Sequence, residues 1–211
     1  MAGAHENMEH AEHAEHASHS NKKIALLISV LALFLAFSET LGKSAQTLGI
    51  ELNIKSSDTW NFFQAKSIRQ TTLRTAAEAM SAELPAFAND EAKAAVGKQI
   101  DTWKQTVARY ETEPSTGEGR KELMAKAQAL EHQRDVAMAR YHNYEYASAA
   151  YQIGIVLASA AVITGMMVLA FGSIGLGVVG LVFTGLGLFA PETLHDLSHW
   201  VEHIFAGSGA H

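Results

Sequence analysis

The chain contains no cysteine, which excludes disulfides and thiolate metal sites but leaves the compartment open, since oxidising and reducing locations both tolerate such a chain. It has only 3 prolines, so few positions force a helix to end. Charged residues are 18% of the chain, against roughly 25% in an ordinary soluble domain, and two stretches near the C-terminus, Ile153–Ala170 and Ile174–Phe189, have none. The net charge of −6 gives no reason to expect a nucleic-acid partner. No nucleophile, acid–base pair or phosphate-binding loop stands at a catalytic spacing, so the chain reads as a non-enzyme. The string from Gly175 to Gly180 matches a dinucleotide-binding GxGxxG, but it lacks the preceding strand and the downstream acid that give the motif its chemistry.

The uncharged stretches therefore carry the first positive statement. Each lies near the lower limit of what a helix needs to cross about 30 Å of hydrocarbon, and Phe171-Gly172-Ser173 between them is the expected corner of a helical hairpin. Two buried helices of a soluble domain are the alternative. A third apolar segment, Ile24–Phe37, follows Lys22-Lys23 and reaches spanning length if its helix continues to Leu41 or Gly42. A cleaved signal peptide competes with that reading, but the long polar tail ahead of the segment favours a retained anchor.

Between Lys43 and Tyr151 charges of both signs are dense, and that part must be solvated. The stretch Ser56–Leu84 is free of breakers, with an apolar stripe of Phe62, Ala65, Ile68, Leu73, Ala76, Met80 and Leu84, until Pro85 ends or kinks the helix. A second helix is predicted over Asp90–Glu111. Pro114–Gly119 reads as a loop by its turn chemistry. From Arg120 a seam of Leu123, Ala127, Leu130, Arg134, Ala137, Tyr141, Tyr144, Ser148 and Tyr151 alternates steps of four and three, a coiled-coil-like pattern running into the second span. Tyr141, Tyr144, Tyr146 and Tyr151 also suit an aromatic belt at a membrane interface. The expected class is thus all-α: a polar tail (1–21), a first transmembrane helix (22–42), a helical module (43–152), a glycine-rich transmembrane hairpin (153–190) and an amphipathic C-terminal helix (191–211).

Histidines are the chief candidates for chemistry. His10, His13 and His16 alternate with glutamates in the tail, and His195, His199 and His203 fall at i, i+4 and i+8 of the C-terminal helix. Imidazoles at such spacing are able to hold zinc, nickel or copper. The competing reading is a solvated tail and an interfacial helix with a polar histidine face. Among the glycines, Gly172, Gly175, Gly177, Gly180, Gly185 and Gly187 let helix backbones approach closely in lipid, which suits a homo-oligomer interface. Trp60, Phe62, Phe63, Arg69 and Gln70 form a candidate partner surface. Alternatively, the aromatics anchor their helix while Lys66, Arg69 and Arg74 pair with acids such as Glu78 or Glu145.

The Asn21-to-Leu27 entry, the Glu39–Gln46 string and Trp60–Thr71 together resemble the bacterial domain-of-unknown-function family number 4337. The resemblance covers nearly all of the chain, and it implies a small multi-pass protein of the bacterial inner membrane with no assigned activity. The expected function is a non-catalytic membrane scaffold that oligomerises through its glycine-rich helices, contacts membrane lipid and presents the helical module to a protein partner. A divalent-metal-binding or ion-conducting oligomer is the alternative, with no cofactor certain. Lys22 and Lys23 favour a cytoplasmic N-terminus, against Lys43, Lys55, Arg134 and Arg140 flanking the membrane from the other side.

Overall fold

A computed structural model describes the backbone from Ala2 to Thr193 and the side chains from Lys22 to Thr193. Its described residues form four α-helices and no strand: α1 (Ala2–Glu83), α2 (Asp90–Glu111), α3 (Arg120–Thr164) and α4 (Met167–Phe189). A 3-10 turn, Leu84–Ala86, follows α1 where Pro85 forbids a further α-helical residue before it. Asn89 then caps α2, its side chain accepting from the Glu91 N–H at 2.8 Å, while Asp90 and Glu91 oppose the helix dipole in the first turn. The loop before α3 turns at Gly117, whose φ of 69° suits a residue without Cβ.

Two compact units result. One comprises Met1–Leu48 with Val136–His211, the other Gly49–Asp135, so α1 and α3 each contribute to both. The second unit is shorter than the helical module expected over 43–152, because the α3 residues from Val136 onward pack with the apolar helices.

In the first unit α1, α3 and α4 form a three-helix bundle. Ile24 packs with Ala158, Ala161 and Ala170 in one cluster, and Leu31 with Ala147 and Tyr151 in another. Three helices in the chain, among the described residues, are long and apolar enough to cross a membrane. The hairpin corner lies at Gly165 and Met166, not at Phe171-Gly172-Ser173. Gly165 takes φ 70° and donates to the Ala161 carbonyl, while the Thr164 hydroxyl accepts from the Met166 N–H, a left-handed glycine closing a helix end. Gly172 and Ser173 instead lie inside α4, which with 23 residues is about 34 Å long at 1.5 Å per residue.

Candidate functional site

The α3 seam is the buried side of its helix: Leu123, Ala127, Ala137, Tyr144 and Tyr151 are all buried, and Leu130, Arg134, Tyr141 and Ser148 partly so. In the bundle, this seam meets glycines. A Cβ on Gly180 would lie 2.5 Å from the Tyr151 ring, and one on Gly187 2.8 Å from the Tyr144 ring. Tyr144 opposite Gly187, Tyr151 opposite Gly180 and Ala161 beside Ala170 have residue numbers of constant sum, as two antiparallel helices in fixed register require. Gly177 makes room for Leu31, against which its Cβ would stand at 2.8 Å. The rings of Tyr144 and Tyr151 are thus packed inside the bundle, whereas Tyr146 is 53% exposed.

A Cβ on Gly172 would touch Leu157 at 3.5 Å, and Gly175 and Gly185 have nothing within 4 Å. So Gly177, Gly180 and Gly187 serve contacts within this chain, and Gly175 and Gly185 are the positions left open to another. Three of the bundle's hydroxyls also find one another, while Asn143 Oδ1 and Ser173 Oγ are buried without a partner among the described residues. Thr184 Oγ1 lies 3.2 Å from both Ser38 Oγ and Tyr151 Oη and donates to the Gly180 carbonyl at 2.9 Å. Tyr151 also stacks on Phe34 at 6.0 Å.

In the second unit the Trp60–Thr71 string builds a polar clamp between α1, α2 and the start of α3. Lys66, 6% exposed, donates to the Glu118 carbonyl, pairs with Glu113 at 3.6 Å and lies over the rings of Phe62 and Tyr110. Gln70, 2% exposed, donates to the Val107 carbonyl and to Glu111. Arg120 closes the clamp, donating to Ser67, to Gln70 at 2.6 Å and to Glu111 at 3.0 Å, with its guanidinium 5.2 Å from the Phe63 ring. The hydrogen bond from Gln70, reinforced by Arg120, holds the Glu111 carboxyl below the usual carboxylate range. Glu122 is lowered too, first by the Thr112 hydroxyl, which donates at 2.6 Å, and its second oxygen accepts from the Glu113 N–H. Gly119 permits this loop: a Cβ there would stand 2.0 Å from a Glu122 oxygen and 2.4 Å from the Glu113 nitrogen.

The chain belongs to the DUF4337 family. The model of that family, described as a domain of unknown function, matches residues 20–190, most of the chain. No curated protein and no solved structure matches it. This DUF4337 chain does not present its central string as one open face. Trp60 donates to Glu131 at 2.8 Å and meets Phe63 edge-on at 5.3 Å, and Phe63 carries Arg120, leaving Arg69 exposed and Phe62 39% exposed. Lys66 takes Glu113 rather than Glu78 or Glu145 as its partner. Gln70 stands in the sequence only as a member of the candidate partner surface, and its meeting with Glu111 and Arg120 depends on how α2 folds back on α1, which no local spacing encodes. His10, His13 and His16 ride on the α1 backbone with side chains outside the described residues, and His195, His199 and His203 lie wholly outside them. Among the described residues no group of three or more histidines and carboxylates is placed to hold a metal ion.

Proposed function

We propose that this protein is a non-catalytic scaffold of the bacterial inner membrane, with the three-helix unit in the bilayer and the charged unit in water. The outward surface of the bundle supports insertion: Leu26, Val156, Ile163, Val168, Phe171 and Phe189 are between 66% and 88% exposed, an apolar surface that water disfavours and hydrocarbon accepts. Self-association is proposed on the outer face of α4, where Gly175 lies among exposed Phe171, Val178 and Val182, since a glycine there lets a second backbone approach.

The observation that carries the scaffold reading is that most buried polar groups bond one another across the helices, Asn143 Oδ1 and Ser173 Oγ being the buried atoms without a partner among the described residues. Lys66, Gln70, Arg120 and Glu111 bond one another in one unit, and Ser38, Tyr151 and Thr184 do so in the other. These groups hold helices together and aim at no shared reaction centre. The test is the native mass of gently extracted, untagged protein, with metal analysis of the same sample. A defined oligomer that Gly175→Leu dissociates supports the scaffold. A monomer sinks it, and stoichiometric zinc, nickel or copper lost on replacing His10, His13 and His16 or His195, His199 and His203 transfers the function to metal handling.

A further inference from the structure

Two hollows of about 280 Å³ each lie either side of the Tyr144 ring. One is lined by Glu39, Lys43 and Glu145, whose mixed charges select no ion. The other differs: Leu41, Ala45, Leu48 and Leu188 make its walls, and Arg140 is the only charged side chain among its lining residues. Arg140 and Tyr144 stand one helical turn apart on α3 and face the same space. Tyr144 is only 4% exposed, yet its hydroxyl has no hydrogen-bond partner among the described residues, and Arg140 has no ion pair there. The oxygen is not sealed from solvent: the buried side-chain atoms without a partner among the described residues are Asn143 Oδ1 and Ser173 Oγ, so the Tyr144 hydroxyl opens into the hollow.

We propose that this second hollow binds one anionic phospholipid. The phosphate takes a charge-assisted hydrogen bond from Arg140 and a second from the Tyr144 hydroxyl, and an acyl chain lies along Leu41, Leu48 and Leu188. Three features of the site select this occupant. Arg140, exposed and without an ion pair among the described residues, favours an anion. The leucine walls exclude a fully hydrated one. Leu188, 48% exposed, and Phe189, 88% exposed, continue the wall into the apolar surface of the bundle, so the site opens where headgroups meet hydrocarbon. The inference rests on the bundle being membrane-inserted.

The full-length chain in mild detergent is titrated with dioleoyl phosphatidylglycerol, with dioleoyl phosphatidylcholine and with inorganic phosphate, and retention is read by native mass spectrometry. Phosphatidylglycerol is expected to bind at one per chain, several-fold tighter than phosphatidylcholine, whose phosphate accepts the same hydrogen bonds but whose trimethylammonium brings a second cation beside Arg140. Arg140→Gln should erase that preference. Tyr144→Phe, which keeps the ring on Gly187, should weaken phosphatidylglycerol several-fold, and Arg69→Gln in the other unit should change nothing. Equal retention of the two lipids by the unaltered chain overturns the proposal without any variant having to fold, as does saturation by phosphate alone. Alkaline carbonate washing of cell membranes separates the two readings. Release of the chain would refute membrane insertion, whereas a retained chain that shows no lipid preference refutes the lipid site alone.

Discussion

Replacing Gly180 by alanine inserts a methyl 2.5 to 2.8 Å from three carbons of the Tyr151 ring. The ring has nowhere to go, because Tyr151 is 0% exposed, stacks on Phe34 and is tied through its hydroxyl to Thr184. Relief requires α3 and α4 to part by several tenths of an ångström. Overpacking of this kind costs about 1–3 kcal/mol, and losing the Tyr151–Thr184 hydrogen bond adds about 0.6 kcal/mol, the mean for polar contacts within membranes. Gly180→Ala is therefore expected to destabilise the bundle by about 2–3 kcal/mol. Gly172→Ala, on the same helix but meeting only Leu157 at an ordinary 3.5 Å, should be neutral, or stabilising by up to about 1 kcal/mol from helix preference. Unfolding by dodecyl sulfate in mixed micelles, followed by circular dichroism, measures both. The double variant Gly180→Ala with Tyr151→Leu should recover part of the loss, giving a coupling energy above about 0.5 kcal/mol. Equal effects at the two glycines, or simple additivity in the double variant, would refute the claim that Gly180 exists to seat Tyr151.

Thr184→Val leaves the Ser38 and Tyr151 hydroxyls without their shared partner and should cost about 1–2 kcal/mol in the same assay. In the loop, Gly119→Ala collides with Glu122 and Glu113. It should lower the thermal midpoint of the full chain and speed amide exchange around residues 112–122, whereas Gly97→Ala, with open space around it, should not. Lys66→Ala removes a nearly buried cation from Glu113 and the Glu118 carbonyl; about 2–3 kcal/mol of destabilisation is expected, below the range for a fully buried pair because Glu113 keeps some exposure. Since the folded value of Glu111 is depressed, its contribution is present above the unfolded carboxylate value and is lost as pH falls through the lower folded value. The thermal midpoint of the unaltered chain should thus drop more steeply below about pH 4.5 than that of Glu111→Gln; parallel curves would contradict the clamp.

The sequence by itself determined the all-helical class and several helix ends, since those signals are local, but not that the first span and the expected Ser56–Leu84 helix form one continuous α1. Pro85 ends α1, α2 falls on the expected Asp90–Glu111, the Pro114–Gly119 cluster forms the loop, and the four-and-three seam marks the buried side of α3. Uncharged runs likewise mark the apolar helices by composition alone. Only the tertiary structure decided where the hairpin turns, because within a run of uniform hydropathy either Gly165 or Gly172 would serve and the choice depends on which register brings Tyr144 and Tyr151 over Gly187 and Gly180. It decided the role of those glycines for the same reason, since a small residue invites close approach without saying whose backbone or ring arrives. It also decided that Lys66, Gln70 and Arg120 face inward around Glu111 and Glu113. A charged side chain reads as solvated until another helix supplies its partner, and that partner lies too far along the chain for any local pattern to name it.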